Sequence, residues 1–212
     1  MPEQDVISLA IDALSVGKAV IVPTDTVYGL GVSVQHAQGP QELYRLKGRA
    51  SDKPVAWLVG SLEDLTRYGK DVPAWAQELA QKCWPGALTL VVKASGKVSP
   101  EFQSEQGTIG LRMPDNQTAL DVIRQIGCPL ATTSANPSGK PAARTFTQLD
   151  PSLVARVGFT LVDDASKSGV SSTVVDCTHD APVVLRQGGV TLPDLGTPMA
   201  EGQPQGQQPT QG

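Results

Sequence analysis

The sequence predicts an α/β domain built on a twisted, open, mixed sheet flanked by helices, and three observations carry that reading. Strand-like and helix-like stretches alternate along the chain. Both hairpin-like and crossover-like connections join them, which calls for antiparallel and parallel neighbours in one sheet. The 212 residues, 40% of them apolar, can bury roughly 70% of the unfolded surface, so no disulfide or metal staple is needed.

Taken in order, residues 5–16 place Val6, Ile7, Leu9, Ala10, Ala13 and Leu14 on one helical face, and Gly17 stops that helix. Residues 19–22 form a short apolar strand that ends at Pro23. Residues 41–47 predict a short helix, 55–59 a buried strand, and Ser61 with Asp64 the capped start of another helix. Pro73 opens a helix carrying Trp75, Ala76, Leu79, Ala80 and Cys83. Residues 87–92 and 108–112 predict strands, 116–126 a helix stopped by Gly127, and 129–133, 173–177 and 183–186 the remaining strands. Residues 1–195 thus make one domain. In residues 196–212, Gly, Pro and Gln supply twelve of seventeen positions, too little apolar area to offset ordering, which predicts a disordered tail.

Composition excludes several classes of protein. No run of about 18 apolar residues is present to span a bilayer, and the opening MPEQDVIS is acidic where a secretory signal is basic; a cytoplasmic protein with no membrane partner is expected. Cys83, Cys128 and Cys177 are odd in number and isolated, which argues for small core residues instead of disulfides or a CxxC site. His36 and His179 lack ligand spacing or a nucleophile beside them, so neither a protein-held metal nor a Ser-His-Asp hydrolase is expected. A net charge of −4 disfavours broad binding to nucleic-acid backbone while leaving room for a local basic cleft. Neither GxxxxGK[ST] nor GxGxxG after a strand occurs, so any ATP site has another architecture.

Four polar segments lie at the ends of predicted strands, where an open sheet builds its ligand crevice. PTDTVYGLG, residues 23–31, offers hydroxyls and a carboxylate suited to a small polar ligand, or equally a capped turn. LKGRASDKP, residues 46–54, packs Lys47, Arg49 and Lys53 into seven positions, a pattern suited to a triphosphate and also to a solvated loop. GTIGLRMP, residues 107–114, ends an apolar strand in Arg112, able to clamp a carboxylate or to form a surface ion pair. TTSANPSGK, residues 132–140, can present hydroxyls and backbone N–H groups to phosphate, although ordinary turns share its composition. Ser171-Ser172-Thr173 and Arg186-Gln187-Gly188-Gly189 repeat the theme.

Together with WPGALTLV, SSTVVD and VLRQGG, these motifs stand in an order that resembles the YrdC-like family of threonylcarbamoyl-AMP synthases, over residues 5–190 and without an added C-terminal domain. Lys47-x-Arg49 with Ser134-x-Asn136 is the most specific part of the likeness. The resemblance implies a large positively charged cavity and an enzyme that joins L-threonine, bicarbonate or CO2, and ATP into threonylcarbamoyl-AMP and pyrophosphate. Mg2+ would be held mainly through the ATP phosphates. The product would feed a tRNA threonylcarbamoyl transferase complex that modifies adenosine 37 of tRNAs reading ANN codons. By the same resemblance, Thr26, Arg112, Thr132 and Ser172 would bind threonine; Arg49, Lys53, Thr108, Ser134 and Arg186 would bind ATP; and Lys47, Arg49, Ser134 and Asn136 would form the catalytic constellation. Three positions depart from the family pattern: Leu58 where many relatives carry His, Ala50 where proline commonly follows KGR, and Pro141-Ala142 in place of a serine-bearing stretch.

Two rivals stand against this expectation. Lys47, Arg49, Lys53, Arg112, Lys140, Arg144 and Arg186 could instead line a nonenzymatic site for double-stranded RNA or tRNA, although the 4% aromatic content offers few stacking platforms. A carbamoyltransferase-type domain working on another carbamoyl donor is the other.

Overall fold

The computed structural model describes residues 3–48, 55–163 and 165–193. In chain order they form α1 (Glu3–Ser15), β1 (Val20–Val22), β2 (Gly29–Ser33), α2 (Gln41–Lys47), β3 (Ala56–Leu58), α3 (Asp64–Tyr68), β4 (Gly69–Lys70), α4 (Ala74–Cys83), β5 (Leu88–Ala94), β6 (Thr108–Arg112), α5 (Gln117–Ile126), β7 (Leu130–Ser134), α6 (Pro151–Val154), β8 (Phe159–Thr160), β9 (Thr173–Asp176) and β10 (Val183–Arg186). The strands join one sheet in the order β10-β9-β5-β6-β3-β7-β2-β1-β8, with β4 on β5. The pairs β9/β5, β3/β6 and β1/β8 are parallel and the others antiparallel, so the sheet is mixed as the connections predicted.

Both faces of the sheet centre are covered. Val20 and Val22 of β1 pack with Ile7 and Leu14 of α1 and with Val122 and Ile123 of α5, while Ile21 between them joins Leu30, Trp57, Leu90 and Leu111 on the opposite face. Alternation along a pleated strand sends successive side chains to opposite faces, and here each face meets an apolar layer. Helix α5 starts where the sequence places it because the Asn116 side chain accepts from Ala119 N at 3.0 Å, and it stops where Gly127 takes a left-handed φ of 76°. The expected cap at Ser61 is reversed: Asp64 Oδ2 accepts from Gly60 N and Ser61 N, at 3.0 and 3.2 Å, and fixes the turn that enters α3.

One strand contradicts the local pattern. Residues 29–31, the end of the polar segment 23–31 that the sequence offers as a ligand site or a capped turn, belong instead to β2 between β1 and β7, with all five residues of that strand buried. Two glycines in five residues carry little strand propensity, so neighbours on both edges decide the conformation. Residues 194–212, including the tail expected to be disordered, lie outside the described residues, as do 49–54.

Register brings the site together. In the sheet centre Gly110, Ala56 and Thr132 lie side by side on β6, β3 and β7, and Leu58 sits beside Arg112. Farther along, β5 carries Thr89 next to Val174 of β9.

Burial differences give a test of the core. Leu90 is fully buried and Leu185, on edge strand β10, is 57% exposed. Leu90→Ala is expected to cost about 3 kcal/mol and to lower Tm by roughly 6–12 °C, against less than about 0.5 kcal/mol for Leu185→Ala, as read by thermal unfolding.

Candidate functional site

The turn that follows β1 is held by its own side chains. Thr24 Oγ1 accepts from the amides of Thr26 and Val27, both at 3.2 Å, and donates to Val27 O at 2.6 Å. Because that proton is committed, the 3.0 Å contact between the Thr24 and Thr26 hydroxyls has Thr26 as donor, which leaves Thr26 Oγ1 to accept from Arg112 Nη1 at 3.0 Å. Such local bonds favour a turn over continued strand.

Arg112 ends β6 and is buried, with 7% of its surface exposed. Its Nη2 pairs with Asp25 Oδ1 at 2.5 Å and its Nε donates to Gly86 O at 3.0 Å. Asp25 Oδ1 is further held by the amide of Asp115 at 3.1 Å. Burial pushes the Arg112 pKa below the ordinary arginine value, Asp25 pulls it back up, and the positive charge of Arg186 adds to the lowering. A guanidinium has five N–H donors; the bonds to Asp25, Thr26 and Gly86 use three, which leaves one hydrogen on each terminal nitrogen for a ligand.

A wall of hydroxyls faces this group. Thr132 Oγ1 donates to Ala56 O at 3.2 Å, and the Thr89 and Ser172 hydroxyls lie 2.8 Å apart. Arg186 at the end of β10 clamps Ser172 O through Nε and Nη2, at 3.1 and 2.8 Å, and reaches Ser172 Oγ at 3.1 Å. The chain leaving Arg186 folds back so tightly that a Cβ on Gly188 would fall 2.2 Å from Ser171 O, which explains a glycine at this position.

These groups line two joined cavities. A smaller one of about 360 Å3 is bounded by Thr26, Leu58, Arg112, Thr132, Ser172 and Arg186, among others. A larger one of about 640 Å3 runs over Thr108, Phe102, Gln106, Asp176 and His179. Ala56, Thr89, Ser172 and Arg186 belong to both, so a small ligand and a larger one placed in them would meet at Ser172 and Arg186. Volumes of a few hundred cubic ångströms are those of small-molecule sites.

Three of the four residues of the expected Lys/Arg and Ser/Asn constellation come together. Lys47 is buried at the end of α2; its Nζ engages Ser134 O and reaches Ser134 Oγ at 3.4 Å and Asn136 Oδ1 at 3.3 Å. Asn136 in turn donates to Pro137 O and Lys140 O, at 3.0 and 2.6 Å. This ammonium ties α2 to the end of β7 and the loop after it, and Ser134, the last residue of β7, reaches the smaller cavity. Arg49 and Lys53 lie outside the described residues.

Of the other expected ligand residues, Thr26, Arg112, Thr132, Ser172 and Arg186 line the smaller cavity. Thr108 lines the larger one, its hydroxyl 2.7 Å from that of Ser104. Sequence reasoning missed Thr89, whose only signal is a hydroxyl inside an apolar strand, and the pairing of Asp25 with Arg112 across 87 positions. It also left His179 without a setting. That ring is exposed at the larger cavity, with Nε2 3.5 Å from Asp176 Oδ2. Leu58 is buried in the wall of the smaller cavity. The seven-cation RNA surface loses Lys47 and Arg112, 5% and 7% exposed, which cannot touch a duplex backbone. Among the described residues no group of three or more His, Cys, Asp or Glu could hold a metal ion, and no helix is long and apolar enough to cross a membrane.

Comparison with known proteins points one way. The sequence profile of the Sua5/YciO/YrdC family, described as telomere recombination, matches residues 12–188. Threonylcarbamoyl-AMP synthase of Bacillus subtilis is 36% identical over 186 residues, covering 87% of this chain and 54% of the relative. A Mycobacterium leprae protein that carries the same name provisionally is 38% identical over 186 residues, covering 88% of this chain and 84% of its own length. The crystal structure of Pyrococcus abyssi Sua5 complexed with L-threonine superposes with a TM-score of 0.80 at 34% identity, over 89% of this chain and 55% of that one. The chain spans about half the length of the Bacillus and Pyrococcus relatives.

The buried pair at the centre of the site gives a signed prediction. Asp25→Leu leaves the Arg112 guanidinium buried without its counter-charge and is expected to cost about 3 kcal/mol. The double variant Asp25→Leu/Arg112→Met removes both charges and is expected to be more stable than Asp25→Leu alone, as measured by the midpoint of urea unfolding.

Proposed function

We propose, on the premise that this chain belongs to the Sua5/YciO/YrdC family, that it is an L-threonylcarbamoyladenylate synthase. It joins L-threonine, bicarbonate or CO2, and ATP, and releases pyrophosphate. The observation that carries this reading is the buried Arg112, with two donors left over, in a pocket of amino-acid size that opens at Ser172 and Arg186 into a second, larger cavity.

In this mechanism Arg112 takes the threonine carboxylate through the hydrogens left on its two terminal nitrogens, a charge-assisted pairing in a largely dry site. Thr26, Thr132 and Ser172 supply polar neighbours for the amine and side chain, and Leu58 supplies apolar wall for the methyl. The threonine nitrogen adds to the carbon of CO2 and loses a proton, giving a carbamate. A carbamate oxygen then bonds to the α-phosphorus of ATP as the bond to the bridging oxygen breaks, and that oxygen leaves with the electron pair as part of pyrophosphate. No side chain forms a covalent bond. Arg186, fixed by three hydrogen bonds to Ser172 at the junction of the cavities, stabilises charge on the transferring phosphoryl group. Lys47 holds the end of β7 and the loop that follows, which carry Ser134 and Asn136, Thr108 lines the larger cavity, and the family resemblance assigns Arg49 and Lys53 to the nucleotide. Mg2+ would enter with the nucleotide, held mainly through the ATP phosphates, and would neutralise part of their charge.

The adenylate serves, in this reading, a tRNA threonylcarbamoyl transferase complex in the cytoplasm that modifies adenosine 37 of tRNAs reading ANN codons. The Pyrococcus relative, complexed with L-threonine, supports the choice of amino acid.

The test is pyrophosphate release by the purified protein with ATP, Mg2+ and bicarbonate, run with L-threonine, with L-serine and with no amino acid. Release is expected to depend on L-threonine. Arg112→Lys, which cannot pair a carboxylate bidentately, is expected to raise the threonine KM by roughly 10–100-fold, from the ~1.5–3 kcal/mol of a charged hydrogen bond. No release under any condition, with tight binding of duplex RNA, would move the reading to an RNA-binding module.

A further inference from the structure

Behind the Thr24–Val27 turn, away from both cavities, lies a second buried charge. Lys167 is 3% exposed. Its Nζ pairs with Asp163 Oδ1, donates to Ala165 O at 3.0 Å and lies 4.6 Å from the centroid of the Tyr28 ring. The other oxygen of Asp163 accepts from Asn116 Nδ2 at 2.6 Å, and Asn116 Oδ1 is the cap of α5. The ion pair is therefore tied to the same helix start whose Asp115 amide holds Asp25.

The backbone after Lys167 is what reaches the site. Ser168 N donates to Asp25 O at 3.0 Å and Gly169 N donates to Thr26 O at 2.9 Å, so the two residues that hold Arg112 hang from the two residues that follow Lys167. A second grip comes from the loop after β7. Arg144 Nε donates to Lys167 O at 3.0 Å, and the Arg144 side chain covers Gly169 so closely that a Cβ there would come within 2.6 Å of Arg144 Cδ. Tyr28 N also donates to Ala143 O at 2.8 Å.

A buried ion pair adds little net stability compared with apolar residues of similar size, yet this one is fully engaged and lies behind the turn that holds Arg112. What it adds over a methyl-lined contact is direction: an ammonium with a carboxylate, a carbonyl and an aromatic face around it can sit in one place only.

We propose that Lys167 is a positioning residue for the amino-acid pocket. Paired with Asp163, it holds the 167–169 backbone as a clasp on Asp25 and Thr26, and so sets the angle at which Arg112 meets the ligand carboxylate. Lys167 touches neither substrate. The inference rests on the reading of that pocket as the threonine site, and it deepens that reading by separating recognition of the amino acid from recognition of the nucleotide.

The experiment uses the full chain. Lys167→Met alone leaves Asp163 buried and unpaired and risks unfolding, so the decisive variant is Lys167→Met/Asp163→Asn, which removes both charges. In the pyrophosphate assay the double variant is expected to raise the threonine KM about tenfold or more while the ATP KM and kcat stay within about twofold. Amide hydrogen exchange is expected to quicken at Thr26, Val27 and Tyr28 and to stay unchanged in β5 and β6. An unchanged threonine KM in the folded double variant overturns the proposal, and so does an equal rise in both KM values, which would mean general loosening. If the wild-type chain shows no threonine-dependent release, the functional reading fails. Exchange then decides the clasp alone: faster exchange confined to residues 26–28 upholds it, and unchanged exchange overturns it.

Discussion

Burying the Arg112 guanidinium is the constraint on which the rest of the site is built. Removing a cation from water is costly unless its charge and its donors are met, and here Asp25 and Thr26 from one turn and Gly86 from another meet three donors. That requirement explains features that otherwise look unrelated. The turn after β1 is self-capped by Thr24 so that Asp25 and Thr26 point the same way; Asp115 N fixes the carboxylate from the start of α5; and the 168–169 backbone fixes the turn from behind. Arg112 also lines the smaller cavity, and the proposed function uses its two remaining donors there.

The architecture was legible in the sequence to the extent that periodicity and end signals speak. The strands at Thr108–Arg112 and Val183–Arg186 and the helix at Gln41–Lys47 form with the bounds read from sequence, because apolar runs between turn residues left few alternatives. Helix α5 followed from Asn116 and Gly127. The sequence was silent where tertiary neighbours override propensity: β2, with two glycines, is a strand because β1 and β7 flank it, and the two-residue strands β4 and β8 exist only as pairings.

The site divides in the same way. Residues standing in ordered motifs, Thr26, Lys47, Arg112, Thr132, Ser134, Asn136, Ser172 and Arg186, could be nominated from their neighbours along the chain, and the fold brings them to two adjoining centres. Asp25 as the partner of Arg112, Thr89 as the partner of Ser172 and Lys167 behind Tyr28 could not, because each pairing spans 83 to 139 positions and leaves no local mark. Motifs report which chemistry is present, while long-range hydrogen bonds decide how it is aimed.

Two cavities share Ser172 and Arg186 in their walls, and in the proposed function a small carboxylate-bearing ligand in one and a larger ligand in the other would meet at that common edge. Everything in that account turns on Arg112 reading a carboxylate. The most direct measurement is a calorimetric titration of the protein with L-threonine and with L-threoninamide, which has the same side chain and amine but a neutral amide for the carboxylate. The account predicts that threoninamide binds at least about tenfold more weakly, and that Arg112→Gln abolishes the difference. Equal affinity of the wild-type protein for the two ligands would contradict it.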